Sequence, residues 1–216
     1  MIYLISDVHE DINFPGLEEY LEKATDDDLL IILGDVGLNF QDTEENRKFT
    51  EQFLSLEKNI AFIDGNHDNF EYYNSFPEEE WKGGIVGRIS ENIVHLKRGN
   101  VFEFEGKTFF VFGGCKSSPK WKEAGLWHFG EEPDDEQLAT AYSSLKKHNL
   151  QVDYILTHKY EQTPERGTVS EKLKELTQFI DENVKFNKWF SGHWHKESEI
   201  DEKHSVIFEK LYAVDR

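Results

Sequence analysis

The order of apolar and polar residues along the chain predicts alternating strands and helices. Short, unbroken apolar runs at Ile2–Ile5, Leu29–Leu33 and Ile60–Ile63 are typical of strands that are buried on both faces. Further strands are predicted at 152–156 and just before residue 192, and the two runs 101–104 and 108–112 flank a hairpin turn at 105–107. This alternation predicts an α/β protein.

Between the strands, apolar residues recur every three or four positions, as on one face of a helix. Pro15 starts the first such segment. Asp42 with Glu45, and Asp134 with Gln137, have the spacing of a capping box at the start of two others. Residues 70–81 are aromatic and acidic without a period, which predicts a loop with a short helix over the sheet edge. The tail, 205–214, predicts one or two closing strands.

Composition narrows the possible functions. The 216 residues include 43 acidic and 24 basic side chains, a formal charge of −19, which argues against a duplex nucleic-acid binder or a membrane-surface protein. No linker divides the chain, so we expect a single domain over residues 1–216. One cysteine, Cys115, excludes an internal disulfide and fits a reducing compartment. With no signal peptide or membrane-length apolar run, we expect a cytoplasmic protein.

Metal-ligand side chains follow five of the predicted strands. They are Asp7 and His9, Asp35, Asn66 and His67, His158, and His193 with His195. Because ligands bind outside the carboxyl ends of the strands in open α/β sheets, these ends are expected to meet in one site. A lone histidine near a strand is usually structural, but five of them beside Gly-Asp and Gly-Asn-His motifs indicate a functional site. The other four histidines, at 95, 128, 148 and 204, receive no catalytic role.

These residues carry a family resemblance. The ordered motifs are Asp7-x-His9, Gly34-Asp35, Gly65-Asn66-His67-Asp68, His158 and Gly192-His193-x-His195. The set resembles the calcineurin-like metallophosphoesterase superfamily, and its compact bacterial and phage members in particular. The resemblance implies a four-layer αββα sandwich of two mixed sheets flanked by helices, with a two-metal site at the strand ends.

The resemblance also implies a ligand set for each metal. Asp7, His9, Asp35 and His195 would hold the first ion, and Asp35, Asn66, His158 and His193 the second, with Asp35 as the bridge. Oxygen and imidazole donors without a thiolate suit Mn²⁺, our first choice, or Fe²⁺, Ni²⁺ or Zn²⁺, better than Mg²⁺ or Ca²⁺. A hydroxide bridging the two ions would attack a phosphoric mono- or diester.

His67 lies just outside the implied ligand set and is expected to protonate the leaving oxygen or to stabilise the charge on it. Asp68 or Asp64 could orient its ring, and the sequence does not decide between them. After Gly34-Asp35 the chain continues Val36-Gly37, without the Asp-Arg-Gly of eukaryotic-type protein Ser/Thr phosphatases. That departure removes a phosphate-binding arginine and the usual acidic partner of the catalytic histidine, so protein dephosphorylation is not expected. No tyrosine lies three residues after Asp35, which weighs against the iron–tyrosinate centre of purple acid phosphatases.

The segment 115–132 is expected to face the substrate. It concentrates lysines, tryptophans and a histidine in an otherwise acidic chain, as a patch for an anionic, partly planar substrate would. An equally weighted alternative is that the tryptophans pack the loop down and the lysines are ordinary surface residues. Arg98, Lys116 and Lys120 are candidates for holding the phosphate. Whether the segment is a lid or a fixed wall stays open.

Two other functional classes compete with hydrolysis of small phosphorylated molecules or phosphodiesters. One is an interaction scaffold that has kept the fold and lost turnover, although the ligand motifs and His67 are all present here. The other is a nuclease for short or single-stranded nucleic acid, for which the aromatic loop offers stacking surface but the net charge offers little attraction.

Overall fold

The computed structural model describes residues 1–162 and 168–214, which form two mixed β-sheets. The first sheet has the strand order β13-β1-β2-β3-β6-β5-β4. Its strands are β1 (Ile2–Ile5), β2 (Leu29–Leu33), β3 (Ile60–Ile63), β4 (Glu78–Trp81), β5 (Gly84–Arg88), β6 (Ile93–Leu96) and β13 (Tyr212–Ala213). The strands β1, β2, β3 and β6 run parallel to one another, and the others pair antiparallel.

The second sheet has the order β11-β12-β10-β9-β8-β7. Its strands are β7 (Val101–Phe104), β8 (Lys107–Phe112), β9 (Tyr154–Thr157), β10 (Lys188–Ser191), β11 (Ser198–Glu199) and β12 (His204–Val206). The predicted hairpin is confirmed: β7 and β8 pair antiparallel across Glu105 and Gly106, which both have positive φ as its two-residue turn requires. The strands β8, β9, β10 and β12 are parallel.

The part of the chain that the structure describes contains six helices. They are α1 (Pro15–Lys23), α2 (Glu44–Leu54), α3 (Phe70–Asn74), α4 (Pro119–Glu123), α5 (Asp135–Lys147) and α6 (Glu171–Asn183). The capping box predicted for Asp134 and Gln137 is present at the start of α5. The prediction for α2 is wrong by one residue, because the side chain of Thr43 accepts the Asn46 N–H, while Asp42 pairs with Arg47.

Buried side chains form three apolar layers. The first lies between the two sheets, where residues such as Ile31 and Leu156 meet. The second joins the outer face of the first sheet to α1 and α2, and the third joins the outer face of the second sheet to α5 and α6. The prediction of two mixed sheets flanked by helices is therefore confirmed.

The segment predicted as a loop over residues 70–81 contains the edge strand β4 as well as the short helix α3. Its sequence, Glu-Glu-Glu-Trp, lacks the apolar alternation of a strand because β4 lies at the sheet edge with its glutamates exposed. Charged residues at such an edge oppose pairing with another chain. The sequence also left β5 and β6 unassigned, so the first sheet is wider than predicted.

Candidate metal centre

The seven predicted ligands converge where strands of both sheets end. Asp7 and His9 follow β1, Asp35 follows β2 and Asn66 follows β3, all neighbouring parallel strands of the first sheet. The remaining ligands, His158, His193 and His195, follow β9 and β10 of the second sheet. The candidate site therefore lies between ligand-bearing loops of the first sheet and ligand-bearing loops of the second.

One group of converging side chains comprises Asp7, His9, Asp35 and His195. Nε2 of His9 lies 3.5 Å from Oδ2 of Asp35, and Nε2 of His195 lies 3.4 Å from Oδ1 of Asp7. The two imidazoles approach each other to 2.8 Å between their Nε2 atoms. Four ligand atoms are thus close enough to share one cation.

A second group comprises Asp35, His158 and His193. Nε2 of His158 lies 3.5 Å from the same Asp35 Oδ2 atom, and 3.3 Å from Oδ1 of Asn66. Asn66 also lines the cavity that opens over both groups. Asp35 therefore belongs to both groups, in the position that a bridging ligand would take.

The backbone at these positions is held in a sparsely populated conformation. The residues with positive φ include Asp7, His9, Asp35, His193 and His195. For a non-glycine residue this conformation costs roughly 1 kcal/mol or more, so it persists only where the surrounding fold imposes it. Hydrogen bonds between the loops supply part of that constraint, since Asp7 N–H donates to the Gly34 carbonyl and His9 N–H to that of Asp35.

Two glycines allow the loops to approach. A Cβ atom on Gly65 would lie 2.1 Å from Asp35 Oδ1, and one on Gly192 would lie 1.7 Å from Ser6 Oγ. Any side chain at either position would displace a ligand loop. The glycine of the Gly-Asn-His motif thus lies where the loops after β2 and β3 pack together within the first sheet, and that of the Gly-His-x-His motif lies where the loops after β10 and β1 meet between the two sheets.

The residues present fit a metal centre. Oδ1 of Asp7 is buried with no hydrogen-bond partner among the described residues, as a carboxylate oxygen reserved for a cation would be. The Nδ1 atom of His158 lies 2.8 Å from the Leu33 carbonyl, a contact that assigns the proton to Nδ1 and leaves the Nε2 lone pair facing Asp35. The donor set of carboxylate, amide and imidazole is that of borderline divalent metals.

Burial and neighbouring charges favour the metal-binding protonation states of Asp35, His193 and His9. Burial by itself would raise the pKa of Asp35, but His158 and His9 hold it below its usual range. Burial lowers the pKa of His193 to about 3, with the charge of His158 acting in the same direction, and burial also lowers that of His9. Neutral imidazole and ionised carboxylate are the ligand forms of these groups.

Burial by itself lowers the pKa of His158, but Asp35 and Asp7 raise it above its usual value. Asp7 also raises the pKa of His195. These two imidazoles therefore bind a cation only after losing a proton.

His67 lies beside this centre and lines the same cavity. Its ring stacks on Phe40, with 3.7 Å between ring centroids, and its Nε2 atom lies 3.0 Å from Oε1 of Glu10. Neither aspartate considered from the sequence is its partner. Asp68 is buried and accepts the N–H groups of Asp35, Gly37 and Gly65.

The other aspartate, Asp64, joins a buried network with Arg98 and His95. Arg98 Nε donates to Asp64 Oδ2 at 2.7 Å, and His95 Nε2 lies 2.9 Å from Asp64 Oδ1. Burial by itself would raise the pKa of Asp64, but Arg98 and His95 hold it well below its usual range. Arg98, a predicted phosphate ligand, is thus buried within the fold and does not line the cavity.

The two predicted phosphate-binding lysines also lie outside the cavity lining. Lys116 pairs with Glu132 at 3.3 Å, and the Lys120 ammonium lies 4.8 Å from the centroid of the Trp121 ring. The segment 115–132 instead supplies Ser117, Trp121 and Leu126 to the wall of a cavity of about 210 Å³ over the candidate ligands. This wall is mainly apolar and aromatic.

The layered fold thus brings two groups of candidate metal ligands together at its strand ends. The sequence model of the calcineurin-like phosphoesterase family matches residues 1–197, and the chain belongs to that family. Candidate ligand clusters and family together indicate divalent metal binding. No curated protein matches the chain.

Among solved structures, the chain is similar to a protein of unknown function, AQ665 from Aquifex aeolicus. The two are 18% identical over 78% of this chain and 83% of that one, with a TM-score of 0.37, too low to assign a function. Within residues 1–162 and 168–214, no helix combines the length and apolar character needed to cross a membrane.

Two of the residues that contact the His67 ring, Glu10 and Phe40, were not predicted from the sequence. Glu10 directly follows the Asp7-x-His9 motif, which is the one local signal that could have marked it. Phe40 gave no signal of its own, because a single aromatic residue after a strand is usually part of the core.

Proposed function

We propose that this protein hydrolyses phosphoric mono- or diesters with the help of two divalent transition-metal ions, Mn²⁺ being the first candidate, then Fe²⁺, Ni²⁺ or Zn²⁺. The observation that carries the proposal is the shared position of Asp35, whose Oδ2 atom lies 3.5 Å from both His9 and His158 Nε2. A carboxylate between two ligand groups is the arrangement expected of a two-metal phosphoesterase.

The proposal assigns a role to the bound ions, to the seven candidate ligands and to His67. When bound, the ions supply Lewis-acid stabilisation of the phosphoryl oxygens and lower the pKa of the attacking water. Asp7, His9 and His195 would hold one ion, His158, His193 and Asn66 the other, and Asp35 both. His67, which faces the same cavity, would give a proton to the leaving oxygen as its bond to phosphorus breaks.

We propose that residues 1–216 form a single domain and that segment 115–132 faces the substrate. The leaving group would then lie against the wall that this segment makes. Trp121 is 44% exposed and lines the cavity together with Leu126. An apolar, aromatic wall beside a site for phosphate suits an ester with a planar or apolar leaving group.

The proposal is tested with protein stripped of metal and then titrated with Mn²⁺, Ni²⁺, Zn²⁺ or Mg²⁺. Hydrolysis of bis-p-nitrophenyl phosphate and of p-nitrophenyl phosphate is followed for each ion. Turnover that requires a transition metal and is lost in Asp35→Asn would support the proposal, and the preferred substrate would distinguish diesterase from monoesterase. Metal binding without turnover on either ester would count against it and favour a non-catalytic scaffold.

A further inference from the structure

We propose that Glu10 is the positioning residue of His67, holding its imidazole so that Nδ1 faces the substrate cavity; this inference rests on the proposed hydrolysis. Glu10 Oε1 lies 3.0 Å from His67 Nε2, and each side chain is about a quarter exposed, at 23% and 27%. With Nε2 bonded to Glu10, Nδ1 is the ring nitrogen left for the leaving oxygen.

The His67 ring is held on three sides. Phe40 stacks on one face with an interplanar angle of 30°, and the His9 ring lies edge-on at 4.8 Å between centroids. The Glu10 carboxylate takes the remaining contact at the ring edge. Packing against Phe40 fixes the plane of the ring, and the hydrogen bond to Glu10 fixes its rotation within that plane.

The position of Glu10 is held by its backbone and by packing against the neighbouring loop. Its backbone has a φ of 64°, and its N–H donates to the Val36 carbonyl at 3.2 Å. A Cβ atom on Gly37 would lie 2.6 Å from Glu10 Cγ, so the glycine is needed for the carboxylate arm to pass. The Gly37 carbonyl is in turn bonded by the buried Asn46 side chain at 2.7 Å.

Other carboxylates near His67 in sequence are engaged elsewhere. Both oxygens of Asp68 accept hydrogen bonds, including one from the Tyr73 hydroxyl at 2.6 Å. Asp64 is occupied by Arg98 and His95. The loop after Asp35 begins Val36-Gly37, with no acid there to face the ring. The acidic partner of His67 therefore comes from the loop after β1.

His67 supplies the proton that the leaving oxygen takes up. The Nδ1–H of protonated His67 goes to the ester oxygen as the P–O bond breaks and its electron pair stays on that oxygen. The attacking water gives its oxygen and one hydrogen to phosphorus, and its second proton goes to solvent. His67 is left neutral with its remaining proton on Nε2, donated to Glu10. Glu10 itself is not among the residues that line the cavity, so it acts through His67.

A double-mutant cycle tests whether Glu10 acts through His67. We compare wild type, Glu10→Ala, His67→Ala and the double variant, all in the metal-loaded form, on aryl phosphates with leaving groups of increasing pKa. Glu10→Ala should lower kcat by about tenfold or more in the wild-type background and by less than about twofold in the His67→Ala background. The loss should grow as the leaving group becomes more basic. Glu10→Gln, which keeps an acceptor, should recover part of it.

The same variants separate a positioning role from a structural one. The metal content and KM of Glu10→Ala should match those of the wild type. Glu22→Ala, which changes a glutamate on the exposed face of α1, serves as the control. Equal losses from Glu10→Ala in both backgrounds, a reduced metal content, or an unchanged kcat would each overturn the proposal.

A readout without turnover keeps this proposal separate from the proposed function. In ¹⁵N-histidine spectra of the Zn²⁺-loaded protein, neutral His67 should carry its proton on Nε2, and Glu10→Ala should change that signal. If the wild type hydrolyses no ester but the signal depends on Glu10, the proposed function fails and the positioning contact stands. If the signal is the same in both proteins, the positioning proposal fails whatever the activity.

Discussion

The Arg98 guanidinium and the Asp64 carboxylate form an ion pair inside the fold, with 2.6 Å between Nη2 and Oδ2 and each side chain only 2–3% exposed. Asp64 directly follows β3 and precedes Gly65, the glycine against which Asp35 packs. The pair thus fixes the start of the loop that carries Asn66 and His67.

We expect Asp64→Asn to destabilise the protein by about 3–5 kcal/mol, because it leaves the Arg98 charge buried without its partner. The free energy of unfolding from urea titration measures the loss. Arg47→Ala is the matched control: it breaks the exposed pair with Asp42 and should cost less than about 1 kcal/mol. A loss from Asp64→Asn no larger than the control's would mean that the buried pair does not stabilise the fold.

Metal stoichiometry should distinguish the shared ligand from the others. Asp35→Asn should reduce occupancy at both ion positions, whereas His158→Gln should reduce it mainly at one, because only Asp35 belongs to both groups of ligands. The metal content of dialysed protein, measured by mass spectrometry, gives the answer. Equal metal content in the two variants would contradict the bridging position of Asp35.

Trp121→Ala should raise KM for aryl phosphates by roughly two- to tenfold, the effect of losing one aromatic contact of about 0.5–1.5 kcal/mol. The value of kcat should change little, since Trp121 lies in the wall of the cavity and not among the candidate ligands. Trp127→Ala is the matched control, because Trp127 lies in the same segment but lines a different cavity. Similar KM changes in both variants would indicate a general disturbance of segment 115–132.

A histidine outside the candidate site should give the protein a pH-dependent stability. His204 lies between Asp181 and Asp201, with 2.9 Å from its Nε2 and Nδ1 atoms to the respective carboxylates. Burial by itself lowers the pKa of His204, but the two carboxylates raise it above its usual value of about 6.5.

Because the pKa of His204 is raised on folding, its contribution to stability is fully present below about pH 6.5 and is lost as pH rises through the folded-state pKa. The unfolding free energy of wild type should therefore exceed that of His204→Gln by more at about pH 5.5 than at about pH 8.5. Asp201→Asn should reduce this pH dependence. A constant difference between wild type and His204→Gln over that range would refute the assignment.

The sequence by itself determined the alternation of elements and the residues that could ligate metal. Runs such as Leu29–Leu33 are apolar because both faces of the strand are buried, so they can be recognised without a structure. The positions of Asp35 and Asn66 after such runs placed them at one sheet edge, since parallel strands end together. Strand β4 was not predicted from the sequence, because an edge strand buries few side chains and this one has a charged sequence.

Only the tertiary structure decided which carboxylate forms a hydrogen bond or an ion pair with which side chain. Asp64, Asp68 and Glu10 are all close to a site histidine in sequence, yet Glu10 reaches His67 across 57 positions of chain. Arg98 carries the charge of a phosphate ligand but is buried against Asp64. Such pairings depend on how separate loops pack and which rotamers that packing allows, and residue type and spacing along one chain do not encode them locally.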